Sequence, residues 1–162
     1  CSPVVCVADA NILFDLRNGL VLQFLSSLPY HFVVPDAVYA ELDADVRGVV
    51  HGLGFGVGML SSQSVHRVQT LSPLHLRLSV PDLFALVMAD DLGAFLLTGD
   101  SRLRRLAETS GVRVHGVLWV LDQLYEQQVL DPPATRAALE RILALGGRLP
   151  ESECAEYRGR WR

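Results

Sequence analysis

The sequence predicts an α/β fold, a three-layer sandwich in which a central parallel sheet of about four to five short strands carries helices on both faces. Strand-like and helix-like segments alternate along the 162 residues, and the strand-like segments are short and apolar. Strands buried on both faces are typical of parallel sheets, because the connecting helices cover both sides. The sequence shows no repeat, low-complexity stretch or linker. We therefore expect residues 1–162 to form one domain, with 116–162 as its C-terminal helical extension.

The first half of the chain contains three predicted strands, of which the first two are each followed by a predicted helix. The continuous apolar run at 4–8 predicts a strand buried on both faces. The glycine-rich segment 48–64 has no clear period, which predicts a loop with one distorted helix. The other elements predicted here are a helix over 20–28 ended by Pro29, a strand over 31–34, a helix over 37–44 and a strand over 66–71.

The second half alternates more clearly. Pro81 and Asp82 open an apolar helix that runs to about Leu92, and Gly93 stands where a helix C-cap is expected. The other predicted elements are a strand over 94–98, a helix over 100–110 stopped by Gly111, a strand over 112–114, a helix over 117–127 and a helix from Pro132 to about Leu145 closed by Gly146 and Gly147. The last residues, 158–162, predict a disordered tail.

Composition excludes several classes of α/β protein. The formal net charge of −4 is unfavourable for non-specific binding of nucleic acid. None of the 14 basic residues is lysine, which excludes a phosphate-binding loop of the G-K-[ST] type. A phospho-accepting receiver domain normally needs a lysine as well. A haloacid-dehalogenase-like phosphatase would have D-x-D after the first strand, where this chain has Asp9, Ala10 and Asn11.

The cysteines and the apolar content predict the compartment and the partners. Cys1, Cys6 and Cys154 have no metal-ligand spacing, and Cys6 lies in an apolar run where a buried free thiol is expected. With no visible secretory signal, this pattern favours a reducing cytoplasm. No apolar run reaches the roughly 18 residues of a membrane helix. Apolar residues make up 50% of the chain, which suggests surface buried against a partner or a second copy.

Four carboxylates are predicted to lie near one edge of the sheet. Asp9 directly follows the first strand and Asp100 the strand over 94–98. Glu41 is predicted about one and a half turns into the helix after the second strand, and Asp82 in the first turn of the helix that leads into 94–98. Ligands of open parallel sheets bind beyond the carboxyl ends of the strands. Taken singly, Asp82 and Asp100 also suit helix N-termini, and Glu41 also suits a solvated helix face.

Electrostatic repulsion shows what converging carboxylates would need. Two of them 4 Å apart repel by about 4 kcal/mol at an effective dielectric of 20. Several such pairs would consume a folding stability of only about 5–15 kcal/mol. The acids must therefore bind cations or hold protons, and carboxylate oxygens favour hard ions such as Mg²⁺ or Mn²⁺. The five histidines form no H-x-x-x-H pair, which argues against zinc.

Three segments resemble a PIN domain. They are VVCVADANILFDL at 4–16, VVPDAVYAEL at 33–42 and SVPDLFALVMADDLGAFLLTGDSRLRRLAE at 79–108, and the matching region spans roughly 4–125. The family's three core acids fall on Asp9, Glu41 and Asp82, and its fourth acid falls on Asp100. The polar positions that support these acids fall on Asn11 and Thr98. The chain from Gly116 onward is longer than a minimal PIN domain and is similar to the tail of some prokaryotic toxin-like branches.

The resemblance implies a ribonuclease that hydrolyses RNA phosphodiester bonds with one or two Mg²⁺ or Mn²⁺ ions. In size it suits the VapC-like toxins of type II toxin–antitoxin pairs, which implies an antitoxin partner and a homodimer. Asp9, Glu41, Asp82 and Asp100 would bind metal, with Glu41 alternatively orienting the attacking water. The residues themselves add Arg102, Arg104 and Arg105, which place basic charge beside Asp100 and are candidates for RNA contact. The alternatives are a catalytically inactive PIN-fold module that binds protein or RNA, and a nuclease acting on DNA.

Overall fold

A central sheet of five parallel strands organises the computed structural model, which describes residues 4–162. The strands are β1 (Val4–Ala8), β2 (Tyr30–Pro35), β3 (Gly56–Gly58), β4 (Phe95–Leu97) and β5 (Val114–His115). Their order is β3-β2-β1-β4-β5, and all four pairings are parallel. The chain winds outward from β1 to β3 and then returns to the other side of β1 for β4. This reversal places a topological switch point between β1 and β4, where open sheets of this kind bind ligands.

Helices cover both faces of the sheet, as predicted. The helices are α1 (Ala10–Asn18), α2 (Asp36–Tyr39), α3 (Ala44–Gly52), α4 (Ser62–Leu71), α5 (Val80–Leu92), α6 (Ser101–Thr109), α7 (Val117–Glu126), α8 (Pro132–Ala144) and α9 (Glu151–Arg160). The 3₁₀ segment Leu22–Ser27 lies between α1 and β2, and the segment Ser72–Leu74 lies between α4 and α5. Helix α5 packs on β1, β2 and β4, with α2, α4 and α6 beside it, while α1, α7 and α8 pack on one another in the other layer.

Helix α5 is the most deeply buried helix of its layer, and its ends are fixed by the signals in the sequence. Ser79 caps its start, and Gly93 ends it with φ of 61°, a left-handed conformation that glycine adopts without strain. The helix is apolar on most sides because it packs on the sheet and between neighbouring helices. Its predicted start, end and apolar character are all confirmed.

Several predicted elements of the first half are wrong. The strand predicted over 66–71 belongs to α4, where Val65 and Val68 recur at helical spacing. The helix predicted over 37–44 ends at Tyr39, because Asp43 caps a new helix by accepting the Val46 N–H at 3.0 Å. The predicted loop over 48–64 contains the end of α3, β3 and the start of α4, and the helix predicted over 20–28 is a 3₁₀ segment.

The disordered tail predicted for 158–162 is also wrong. Helix α9 continues to Arg160, and the side chain of Trp161 is fully buried. The Trp161 indole N–H donates to Asp122 Oδ1 at 3.0 Å, and Arg136 donates to the Trp161 carbonyl. These contacts join the end of the chain to α7 and α8, which no local sequence pattern reveals.

The structure also bears on the predictions made for the cysteines and for a membrane. Cys6 and Cys154 are buried free thiols, and burial raises the pKa of Cys6 to about 12. Cys1 lies outside the described residues. Over residues 4–162, the helices are all too short or too polar to cross a bilayer.

Candidate active site

Asp9 lies at the switch point between β1 and β4. It ends β1, and its N–H donates to the Leu97 carbonyl at 3.1 Å, continuing the pairing of the two strands. Its side chain caps α1, because Oδ1 accepts the Ile12 N–H at 2.9 Å. The other oxygen, Oδ2, accepts a hydrogen bond from the Thr98 hydroxyl. Only 3% of Asp9 is exposed, so the end of the strand and the cap hold a carboxylate almost wholly out of water.

Thr98 connects Asp9 to Asp100. The Thr98 side chain is fully buried at the end of β4, and its Oγ1 accepts the Asp100 N–H at 3.1 Å while it donates to Asp9. Asp100 caps α6 with Oδ1, which accepts the N–H groups of Arg102 and Leu103 at 2.8 and 3.0 Å. A single hydroxyl group thus fixes the relative positions of two predicted acids.

Asp82 is held by a capping box at the start of α5. Its Oδ2 accepts the Ser79 N–H at 2.9 Å, and its own N–H donates to Ser79 Oγ at 3.1 Å. Glu41 is exposed in the turn after α2 and does not lie within a helix, contrary to the prediction. The physical reason is the Asp43 cap, which starts α3 only after this turn.

A cleft of about 290 Å³ brings most of the predicted site together. Asp100 lies beside this cleft, connected to it through Thr98. Three helices form its walls: α1 contributes Asn11, α2 contributes Val38 and α5 contributes Asp82. The cleft is lined by Asp9, Ala10, Asn11, Phe14, Val38, Glu41, Ser79 and Asp82.

Burial and charge act strongly on the acids of the cleft. Burial raises the pKa of Asp9 to about 7, even though the hydrogen bonds from Thr98 and Ile12 lower it, and the charges of Asp82 and Asp100 raise it further. The pKa of Glu41 is raised by desolvation and by the charge of Asp82. Asp9 is therefore a carboxylate whose charged form is disfavoured by every neighbour except its two hydrogen-bond donors. A bound cation would offset that penalty.

The donor set suits a hard divalent cation. All four predicted ligands are carboxylates, the ligand type that Mg²⁺ and Mn²⁺ prefer. Asp82 and Asp100 each use one oxygen to cap a helix, and the second oxygen accepts no hydrogen bond within residues 4–162. In this part of the chain, no three His, Cys, Asp or Glu side chains already surround a single point. The site thus fits a metal by the chemistry and the charge of its ligands.

The three predicted arginines lie on α6, next to Asp100. Arg102 and Arg105 are exposed and Arg104 is half-buried. Arg104 reaches the carboxyl end of β5, where a Cβ at Gly116 would be 3.4 Å from its Nη2. Arg104 therefore borders the edge of the sheet that carries Asp9 and Asp100, while Arg102 and Arg105 add positive charge to the exposed surface of the same helix.

Four residues that line the cleft were not predicted from the sequence: Ala10, Phe14, Val38 and Ser79. Phe14 follows Asn11 by three positions on α1, a helix that the sequence reading did not predict. The signal for Ser79 was visible, since Ser79 and Asp82 have the spacing of a capping box.

One family model matches almost the whole chain. The family model DUF3368, described as a PIN domain, matches residues 5–162. The chain is also similar to a PilT N-terminus domain protein from the hyperthermophilic archaeon Sulfolobus solfataricus P2, with a TM-score of 0.45 and 15% identity over 76% of this chain and 93% of that chain. No curated protein matches the sequence. Because the family model spans nearly all of its length, the chain belongs to the DUF3368 family of PIN domains.

Proposed function

We propose that this protein is a Mg²⁺- or Mn²⁺-dependent endoribonuclease whose ions are held by Asp9, Glu41, Asp82 and Asp100. PIN domains are generally nucleases and usually use divalent metals. The observation that carries the proposal is Asp9, a buried carboxylate at the switch point with a pKa of about 7. A buried charged carboxylate lowers the stability of the fold unless a cation or a proton neutralises it, and such groups cluster at functional sites. The charged groups nearest to Asp9, Asp82 and Asp100, are carboxylates as well and cannot neutralise it.

The protein's own residues would bind and orient the reacting groups. A bound ion supplies an acidified water and stabilises the charge on the phosphate and the leaving oxygen. Asp9 and Asp100, fixed by Thr98, would hold it at the end of β1 and β4, with Asp82 on the facing helix. Glu41 is the most exposed of the four acids and can either bind metal or orient the attacking water. Thr98 supports Asp9 and Asp100 through hydrogen bonds, and Asn11, which lines the cleft beside Asp9, would act in the same supporting role.

The direct test is cleavage of a mixed RNA pool with Mg²⁺, Mn²⁺ or EDTA by wild-type protein, Asp9→Asn and Asp100→Asn. Cleavage should require the metal and fall by at least about 100-fold in both variants, since each loses a charged ligand. Asparagine still caps α6 well at position 100, so that variant should remain folded. A single-stranded DNA of the same sequence tests whether RNA is the substrate.

Two outcomes of this test would contradict the proposal. Equal cleavage by all three proteins would indicate a contaminating nuclease. No cleavage, together with no stoichiometric binding of Mg²⁺ or Mn²⁺ by the folded wild-type protein, would favour the alternative of an inactive binding module.

We further propose that Arg102, Arg104 and Arg105 contact the phosphates of the RNA. Arg105→Gln should weaken RNA binding for all sequences alike and reduce the slope of log affinity against log salt by roughly 0.7. Arg148→Gln makes the same charge change at an exposed position outside α6 and serves as the control. Equal losses in the two variants would show that only net charge matters.

The VapC-like toxin role remains part of the proposal, with an antitoxin and a second copy as partners. An apolar groove between α4 and α5 supports a protein partner, since it is lined in part by Val65, Val68, Val80 and Phe84. Leu76 at its border is 87% exposed. The free thiols of Cys6 and Cys154 support a reducing, cytoplasmic setting. Sedimentation of the purified protein alone, and with the product of any adjacent small gene, tests both partners.

A further inference from the structure

Phe14 lies in the acidic cleft, yet it has no role in binding a metal. It lines the cleft together with Asp9, Asn11 and Glu41, and it is one of the partly buried side chains that pack against the hydrophobic core. A site that only held ions would gain from polar or water-filled walls, because an aromatic ring offers no ligand to Mg²⁺ or Mn²⁺. The half-buried ring therefore indicates that this part of the cleft binds a group other than a metal ion.

Arg17 fixes one side of this ring. Its guanidinium carbon lies 5.3 Å from the centroid of Phe14, within range of a cation–π contact. Arg17 is in turn held by Asp43, with Nη1 2.5 Å from Oδ2. The ring is thus restrained by the core and by an arginine that is itself anchored. A restrained aromatic loses little entropy when a flat ligand stacks on it.

The distance from Phe14 to the acids fits the dimensions of a nucleotide. Phe14 is five residues beyond Asp9, and the helix between them rises about 1.5 Å per residue, which gives about 7.5 Å along its axis. A nucleobase is separated from its neighbouring phosphate by one sugar, a distance of the same order. A phosphate at Asp9 would therefore place an adjacent base beside the Phe14 ring.

We propose that Phe14 is a stacking site for the nucleobase next to the scissile phosphate of a single-stranded RNA. This inference rests on the nuclease function proposed above and adds a residue that positions the substrate. Bases in a duplex are already stacked on both sides, whereas bases in loops and single strands can stack on an aromatic side chain. Such stacking tolerates every base and strengthens binding by on the order of 10-fold. Phe14 therefore selects for unpaired RNA without reading its sequence.

The test uses short single-stranded RNAs in which 2-aminopurine, whose fluorescence falls when it stacks, replaces one base at a time. They are titrated with wild-type protein, Phe14→Leu and Phe84→Leu in Ca²⁺, which takes the same carboxylate oxygens. Phe84 is a half-buried aromatic of the α5 groove and serves as the matched control. Quenching should occur at one or two adjacent positions with the wild-type protein and with Phe84→Leu. Phe14→Leu should abolish it and weaken binding by about 10-fold.

An abasic nucleotide at the quenched position separates stacking from a structural effect. If Phe14 stacks on that base, the abasic RNA binds wild-type protein and Phe14→Leu with equal affinity. A purely structural role of Phe14 would weaken binding of both RNAs alike and would overturn the inference. So would quenching that survives in Phe14→Leu or is lost equally in Phe84→Leu, as would RNA binding without quenching at any position. Metal-dependent cleavage that requires Asp9 would then still support the nuclease, so the two proposals fail separately. A wild-type protein that binds no RNA overturns the stacking site directly.

Discussion

In EDTA at pH 8, Asp9→Asn is expected to unfold at a higher temperature than the wild-type protein. Burial raises the pKa of the Asp9 carboxyl to about 7 in the folded state, against 3.8 for an unperturbed aspartate. Between these two values the folded protein binds more protons than the unfolded chain, so its stability falls as the pH rises from about 4 to 7. Above pH 7 the full cost of burying the charged Asp9 carboxylate lowers the free energy of unfolding. At 1.36 kcal/mol for each pH unit between the two pKa values, this cost is roughly 4 kcal/mol.

Asparagine removes this penalty because it carries no charge. Its carbonyl can still accept the Ile12 N–H, and its amide can donate to Thr98 Oγ1. The Thr98 hydroxyl then loses its acceptor, which offsets part of the gain. We expect a net stabilisation of about 2 kcal/mol at pH 8, or roughly 4–8 °C for a chain of this size. At pH 4 the charge penalty is absent and only the lost Thr98 contact remains, so Asp9→Asn should there be the less stable protein, by up to about 2 kcal/mol.

Thermal unfolding of both proteins at pH 4 and pH 8 in EDTA measures this effect, with Asp100→Asn as the control. Asparagine also caps α6, and the Asp100 charge is the smallest of the causes that raise the Asp9 pKa, so this variant should retain most of the pH dependence of the wild type. Adding Mg²⁺ should reverse the order, because an ion at 100 times its Kd stabilises the wild-type protein by about 2.7 kcal/mol. Asp9→Asn should not respond to Mg²⁺. A variant less stable than wild type at pH 8 in EDTA would show that the Asp9 charge is well solvated.

The sequence predicted most reliably where local signals and burial agree. The apolar run of β1, the start of α5 near Pro81, its end at Gly93 and the strand at β4 each form as the local pattern indicates. These same elements carry Asp9, Asp82 and Asp100, which is why three of the four acids were placed in their elements correctly. Glu41 was misplaced because two overlapping helix signals, Asp36 and Asp43, compete within eight residues.

The remaining errors concern contacts between distant parts of the chain. Phe14 reaches the cleft because α1 begins directly after β1, at the edge of the sheet where the cleft lies. This placement depends on the topology of the sheet, and no local sequence pattern indicates it. Trp161 is buried by α7, and its partner Asp122 is 39 positions away. A tail rich in arginine and glycine resembles disorder until such a pocket is known. Periodicity and caps therefore predict elements, whereas the docking of the C-terminal helix depends on tertiary packing.

Trp161→Ala is expected to destabilise the protein by about 3–5 kcal/mol, the usual cost of removing a large buried aromatic. Trp161 is fully buried, and its ring packs against Tyr157 at a centroid distance of 5.7 Å. Its indole N–H donates a hydrogen bond to Asp122 Oδ1, and Arg160 forms an ion pair with the other oxygen of the same carboxylate at 3.0 Å. Removing the Trp161 side chain leaves a cavity, and it removes one hydrogen-bond donor from the Asp122 side chain, a residue that is only 6% exposed.

Urea unfolding of Trp161→Ala, Trp161→Phe and Arg162→Ala separates these causes. Phenylalanine fills most of the volume of the indole but cannot donate to Asp122. Trp161→Phe should therefore lower the free energy of unfolding by about 1–3 kcal/mol for the lost hydrogen bond, plus a small loss of packing. Arg162 is exposed, and its removal should change the free energy of unfolding by less than about 0.5 kcal/mol. A loss below about 1 kcal/mol in Trp161→Ala would mean that α9 docks only weakly. The expected large loss would make α9 part of the cooperative fold, so that removing residues beyond Pro150 would unfold the domain that positions Asp9 and Asp100.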